Sequence, residues 1–293
     1  MKFLLSIIIP TYNREKLLNR CLESLDFSQK NVEIIVVDDG SKFKVKDKFK
    51  NYKKKIKFYR IDNSGRTYAL FYGIKKANSH YIMVLDDDDY FIKNGLKIIV
   101  NILKQNQTKI INNVDLFAFG TLIKKGKTLI KSIPPKKKLN LIELKADYKL
   151  NTDIKEIPKT KIIKKVINKI KLKKFERVPT GLLWANLSGK CQCINRAVVY
   201  KEYYEDGITS SISRSKFKDP NYMINLYEIY SKSNDYSSFF FRFYSNINMN
   251  RYCFHAKKDN KISLYYLLGF LIFLYDKLLI TLNEKKNKTY IYN

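Results

Sequence analysis

Histidine is almost missing from this sequence of 293 residues: only His80 and His255 occur. The four cysteines, Cys21, Cys191, Cys193 and Cys253, are too few for a disulfide scaffold in a chain of this size. Cys191 and Cys193 form a C-x-C pair that would suit the start of a metal site, but a second ligand pair is missing. Buried thiols in a reducing compartment are the simpler expectation. Prolines number only six and 45% of residues are hydrophobic, which excludes a disordered chain. Glycine signatures are absent as well. No G-x-G-x-x-G follows the first apolar run and no G-x-x-x-x-G-K-[ST] occurs anywhere, which argues against a Rossmann dinucleotide site and against a P-loop.

Acid is scarce beside base, 27 residues against 57, for a net charge of +30. Such an excess calls for negative partners: nucleic acid, anionic lipid or phosphorylated small molecules. The surplus is mostly lysine, in a chain rich in Ile, Asn and Tyr, as AT-rich codon usage produces, so charge alone does not decide function. Long apolar runs are also few. The amino-terminal FLLSIIIP is too short to cross a membrane and has no small-residue cleavage site behind it. It is expected to form a buried strand ended by Pro10, with no export signal.

What is present is an alternation of strands and helices. Strands are expected at 4–10, 32–38, 56–61, 81–86 and 114–123, with helices near 13–25, 42–54, 66–77 and 94–105 between them. Leu17, Leu18, Cys21, Leu22 and Leu25 share one face of the first helix, with Asn13 as its expected N-cap. Apolar strands joined by amphipathic helices predict an α/β fold with a mainly parallel sheet flanked by helices. Ligands of such sheets bind at the carboxyl ends of the strands. The polar clusters Thr11-Tyr12-Asn13-Arg14, Asp38-Asp39-Gly40-Ser41, Asn63-Ser64-Gly65-Arg66 and Asp86 to Asp89 all fall there.

Four adjacent aspartates repel one another and raise each other's pKa, so they need a counter-charge. A hard divalent cation, Mg²⁺ or Mn²⁺, supplies one and can bridge a diphosphate. The plain alternative is an acidic surface loop or helix cap.

The stretches SIIIPTYNR (6–14), EIIVVDDGS (33–41) and DNSGRTYALFYGIKKANSHYIMVLDDDD (62–89) together resemble the inverting glycosyltransferases of family 2, which have the GT-A fold. The resemblance implies a nucleotide-sugar donor site formed by Pro10, Thr11, Tyr12 and Arg14, by Asp38 or Asp39, and by Asn63 and Arg66. The family's D-x-D signature maps onto Asp86, near the ribose, and Asp88, on the metal. In a run of four aspartates the register can slip, which brings in Asp87 and Asp89. The resemblance also implies a nucleoside-diphosphate sugar as donor, UDP expected, a divalent metal cofactor, and a glycan or lipid-linked acceptor in cell-surface polysaccharide synthesis.

Three segments are expected: a donor-binding part at 1–123, an acceptor and catalytic-base part at 124–255, and a hydrophobic, lysine-flanked, partly helical extension at 256–293. Inversion needs a carboxylate to take the acceptor's proton. Asp219, ahead of Pro220 and an apolar-periodic helix, and Asp206 in YYEDG are the candidates. His255, after an expected strand at SSFFFRFYSNI, is a candidate for the metal or the phosphates, and a structural histidine is the alternative. Trp184 suits either an acceptor sugar or the core. The run 159–174 carries eight lysines and no acid, with Ile162, Ile163, Val166, Ile167 and Ile170 on one face. It is expected either to pack on the core or to lie on anionic lipid. The segment LYYLLGFLIFLY (264–275), interrupted by Asp276 and flanked by lysines, is expected to lie in a membrane interface, with core packing or a dimer contact as the alternatives.

These expectations place the protein in the cytoplasm, peripheral on the inner face of the cytoplasmic membrane. Transfer to a polyprenyl phosphate, which needs no base, is a rival chemistry. Nucleic-acid binding is not expected, because acidic clusters sit badly at such a surface. A non-catalytic scaffold is a third alternative.

Overall fold

The computed structural model describes residues 2–108, 114–125, 128–133, 138–140, 144, 154–176, 178, 180–187, 190–202, 220–232 and 239–289. The chain divides into two units, residues 1–204 and 205–293.

The first unit begins with a four-stranded parallel sheet of order β3-β2-β1-β4. Its strands are β1 (Phe3–Thr11), β2 (Val32–Asp38), β3 (Lys57–Arg60) and β4 (Ser79–Val84). The runs IIIP, IIVV and YIMV are β-branched and aliphatic because both faces of these strands are covered. Ile7, Ile8, Ile9, Ile35, Val36 and Ile82 are fully buried, each contributing about 1.5–3 kcal/mol of transfer free energy. Helices α1 (Glu15–Glu23), α2 (Val45–Lys48), α3 (Arg66–Lys76) and α4 (Gly95–Thr108) connect the strands. Leu18, Cys21 and Leu22 of α1 join Ile99, Val100 and Leu103 of α4 in one core cluster.

A second sheet follows, ordered β5-β10-β6-β7. Its strands are β5 (Tyr90–Phe91), β6 (Val114–Lys125), β7 (Thr128–Ser132), β8 (Lys138–Asn140), β9 (Lys155–Pro158) and β10 (Lys190–Glu202). β10 and β6 are parallel, and β8 and β9 pair antiparallel with β10 and β6. Helices α5 (Thr160–Ile167) and α6 (Thr180–Ala185) lie between β9 and β10.

Several local expectations change. The helix expected at 42–54 is the single turn of α2 followed by a 3₁₀ turn at Lys50–Tyr52, although Val45 and Phe49 are buried in the core cluster and Tyr52 packs against it. Asn13 is not the cap of α1. It has a positive φ of 55° and its Oδ1 accepts the Lys42 N–H at 2.7 Å. The basic run 159–174 is helical only over α5, where Ile163, Val166 and Ile167 are buried and Lys164 Nζ donates to the Ala77 carbonyl at 2.8 Å. It packs on the protein. Trp184 is likewise a core residue, 5% exposed.

The second unit contains α7 (Pro220–Ser231), α8 (Phe239–His255) and α9 (Leu264–Thr289). The segment expected as a strand before His255 is α8. Its phenylalanines suggest a sheet, yet Ser245, Asn246, Asn248 and Asn250 each donate to the carbonyl four residues back, and Ser245, Ile247, Asn250, Tyr252 and Cys253 are buried at helical spacing.

A candidate donor site at the ends of the parallel strands

Parallel register brings the polar loops together. Thr11 at the end of β1 lies opposite Asp38 at the end of β2, and Asp38 lies opposite Arg60 at the end of β3. Ile8 of β1 pairs with Val84 of β4, so Leu85 continues along β1, its N–H donating to the Ile8 carbonyl, and delivers Asp86 to the same edge.

The loop after β2 is a fixed frame. Asp38 accepts the Ser41 N–H at 2.8 Å and pairs with Arg60 at 2.5 Å. Asp39 accepts the backbone N–H groups of Ser64 and Gly65 at 2.8 and 2.9 Å, which clasps the third loop. Burial raises the Asp39 carboxyl, the two N–H bonds oppose that, and the neighbouring Asp38 charge adds to it. Gly40 has φ of +79°, and a Cβ there would stand 2.7 Å from the Asn63 backbone nitrogen, so only glycine lets the second and third loops touch. The first loop is tied in by the Asn13 N–H, which donates to Ser41 Oγ at 2.9 Å. Pro10 is buried in β1, whereas Tyr12 and Asn63 are exposed at the loop tips.

Each aspartate of the run meets a protein cation. Arg66 donates through Nε and Nη2 to Asp86. Arg14 Nη1 bridges Asp87 at 3.2 Å and Asp88 at 3.0 Å. Lys155 Nζ lies 2.5 Å from Asp89, with Lys201 at 4.0 Å. Arg20 donates to the Asp88 carbonyl at 2.8 Å, pairs with Glu202 at 2.8 Å and lies over the Tyr90 ring at 4.5 Å.

The four environments differ. Burial pushes Asp86 up, but Arg66, Lys155 and Lys201 overcome it and hold the carboxyl well below the usual range. Burial pushes Asp87 up to about 6, Thr11 and Arg14 pulling the other way and the charges of Asp88 and Asp86 adding to the rise. Thr11 Oγ1 donates to Asp87 at 2.8 Å. Asp89 is raised by burial although Lys155 and Lys201 face it. Repulsion within the run is therefore answered in part by Arg14, Arg66, Lys155 and Lys201.

The donor set still fits a cation. Asp87 and Asp89 are buried, while the side chains of Asp86 and Asp88 are 26% and 22% exposed. They present hard carboxylate oxygens at the open end of the sheet, and Mg²⁺-type ions are commonly held by one or two carboxylates together with phosphate oxygens. Among the described residues, no group of three or more His, Cys, Asp or Glu gathers as a ready-made cage.

Sequence reasoning missed Lys155, Lys201, Arg20, Glu202 and Arg60. The catalytic candidates Asp206 and Asp219 lie outside the described residues; α7 begins at Pro220, directly after Asp219. His255 belongs to the second unit, with Nε2 3.0 Å from Asp276 Oδ2.

Residues 6–146 match the family model described as Glycosyl transferase family 2. A poly(ribitol-phosphate) beta-glucosyltransferase of Bacillus spizizenii is 39% identical over 114 residues, 36% of this chain and 18% of that protein. A dolichyl N-acetyl-alpha-D-glucosaminyl phosphate 3-beta-D-2,3-diacetamido-2,3-dideoxy-beta-D-glucuronosyltransferase of Methanococcus voltae is 34% identical over 113 residues, 34% of this chain and 35% of that protein. The chain thus matches well under half the length of these curated relatives. Among solved structures, S. aureus TarS 1–349 in complex with UDP-GlcNAc superposes with a TM-score of 0.61 at 16% identity, covering 94% of this chain and 81% of that one. That likeness shows a shared fold.

Proposed function

We propose that the protein, whose residues 6–146 match the model of glycosyl transferase family 2, moves a sugar from a nucleoside diphosphate, UDP in our reading, to a hydroxyl of a glycan or lipid-linked acceptor in cell-surface polymer synthesis. The observation that carries this reading is the pairing of two partly open carboxylates, Asp86 and Asp88, with the guanidinium groups of Arg66 and Arg14 beyond the carboxyl ends of β1, β3 and β4. Mixed charge of this kind suits a diphosphate, whose oxygens take hydrogen bonds from arginine. The names of the relatives, one acting on a ribitol-phosphate polymer and one on a dolichyl-linked sugar, support the acceptor class.

In the transfer, the acceptor oxygen forms a bond to the anomeric carbon while the bond to the diphosphate oxygen breaks, inverting that carbon. The acceptor proton passes to a carboxylate. We assign that role to Asp219, with Asp206 as the second candidate. Pro10, Thr11, Tyr12, Asp38, Asp39 and Asn63 shape the nucleotide end, and the Asp39 clasp holds the third loop so that Arg66 stays on Asp86. A divalent cation held by Asp88, with Asp86 beside it, would neutralise charge on the departing diphosphate.

Titration calorimetry of UDP, with Mn²⁺ and with chelator, tests the donor site. Micromolar, metal-dependent binding that Asp88→Ala abolishes is expected. Absence of binding to UDP, GDP and CDP under both conditions would overturn the proposal.

A further inference from the structure

Helix α9 has two dissimilar long faces. One packs on α8: Tyr266 and Phe273 lie 4.7 and 5.5 Å from the Phe254 ring, and a Cβ on Gly269 would stand 2.8 Å from the Arg251 nitrogen. Within this contact Asp276 is buried and takes both Arg251 Nε and Nη2, at 2.5 and 2.6 Å, with His255 Nε2 at 3.0 Å. The ion cluster holds the helix in one rotation about its axis. The other face carries Leu264, Leu267, Leu271, Leu274, Leu278 and Leu282, spaced by three or four residues and 47–61% exposed. Only 11% of the stretch Leu264–Leu282 is buried within the protein.

Charge at the ends of this helix selects the occupant of the leucine face. Lys257, Lys258 and Lys261 precede it and are exposed, Lys277 is exposed along it, and the sequence continues through Lys285, Lys286 and Lys288. Asp259 and Glu284 are the only acids against them besides the buried Asp276. A second copy would set lysines against lysines whether the helices ran parallel or antiparallel, and like charges oppose association. Anionic headgroups meet both ends at once.

The helix is also long and apolar enough to cross a bilayer, but a crossing would draw the Asp276–Arg251–His255 cluster into hydrocarbon, together with Asn248, which accepts from Arg251, and Asn250, which lies against Gly269. Lying along the surface leaves that polar side toward α8.

We propose that the leucine face of α9 docks the protein on an anionic lipid bilayer, with the helix in the plane of the interface. The claim does not depend on the sugar-transfer reading, because vesicle binding needs no donor.

The test is co-sedimentation of the full chain with phosphatidylcholine vesicles, with and without phosphatidylglycerol, at low and high salt. Two variants accompany it: Leu271→Ser with Leu274→Ser and Leu278→Ser, and Lys257→Gln with Lys258→Gln and Lys261→Gln. Expected are binding that requires phosphatidylglycerol and weakens in salt, a loss on the order of tenfold or more in the leucine variant, and a loss on the order of tenfold in the lysine variant. The lysine variant leaves the α8–α9 contact untouched, so it decides the matter if the leucine variant fails to fold. Equal binding by wild type and lysine variant would overturn the proposal. So would a dimer in sizing chromatography that the leucine variant dissociates, which would assign the face to a second copy. Binding that resists salt and alkaline washing would mean a spanning helix and overturn the in-plane placement.

Discussion

Lys155 supplies the buried counter-charge of Asp89, and nothing in its own neighbourhood of sequence marks it. Its Nζ lies 2.5 Å from Asp89, and the two side chains are 7% and 1% exposed. Lys155→Met keeps the length of the side chain and removes the charge. Breaking one side of a buried pair typically costs about 3–5 kcal/mol, because an uncompensated ion stays behind. Two features of this site limit the loss. Lys201 remains 4.0 Å from Asp89 and supplies partial compensation. Asp89 can also take up a proton, and doing so at pH 7 from an unfolded value near 3.9 costs at most about 4 kcal/mol. The expected loss is therefore about 3 kcal/mol at pH 7.

Its pH dependence carries the sign. In the variant, folded Asp89 binds a proton that the unfolded chain has released, so stability falls as pH rises, by up to about 1.4 kcal/mol per unit between pH 4 and 7. The deficit against wild type is largest at neutral pH and shrinks on acidification. Urea unfolding followed by fluorescence reads this cleanly, since Trp184 is the sole tryptophan and is buried in the first unit. Adding Asp89→Asn to the variant removes the unpaired ion and restores part of the loss. A cost under about 1 kcal/mol at pH 7, or a deficit that does not change with pH, would refute the role given to Lys155.

Asp87 predicts a separate pH effect. Its folded value of about 6 stands above the unfolded one, so its charge is a liability that grows with pH: wild type should lose roughly 2 kcal/mol relative to Asp87→Asn between pH 4 and 6 and then level off. Parallel stability–pH curves for the two proteins would contradict this. Gly40→Ala forces a side chain into φ of +79° and against the Asn63 nitrogen; a loss of about 2 kcal/mol or more and weaker UDP binding are expected from urea titration and calorimetry. Ile163→Ala on α5, where the residue is fully buried, should cost about 2–5 kcal/mol; a neutral result would return that helix to the lipid-facing alternative.

The parallel sheet was legible in the sequence because its signals are local. Runs such as IIIP and IIVV can only be buried strands, and the loops behind them inherit their position from parallel register. Arg66 and Asp86, read as neighbours of the nucleotide, do meet. Arg20 was illegible for the opposite reason. It sits in α1 among residues chosen for an amphipathic stripe, and its partners, Glu202 and the Asp88 carbonyl, lie 182 and 68 positions away. Lys155 stands in a strand too short to show a period, and Phe239–His255 misled because aromatic content resembles a strand while the burial period is helical.

The aspartate run shows why charge counting from sequence stops short. Four adjacent carboxylates do demand positive charge, but sequence cannot say from which side it arrives. Here the side chains part: Asp89 turns inward to Lys155, Asp87 to Thr11 and Arg14, and the two open ones, Asp86 and Asp88, keep arginine partners. A diphosphate entering between Arg14 and Arg66 would compete with those carboxylates for the same guanidinium groups, and each one freed would offer its oxygens to a cation. Nucleotide and metal binding should then be mutually dependent. Mn²⁺ alone should bind weakly, and more tightly with UDP present, by the same factor by which Mn²⁺ tightens UDP. Arg14→Gln should weaken UDP while strengthening Mn²⁺ bound alone, because Asp88 no longer shares an oxygen. Calorimetry of each ligand with and without the other measures both effects. If Mn²⁺ alone binds Arg14→Gln no better than wild type, the competition does not exist and Asp88 is not a metal ligand held in reserve.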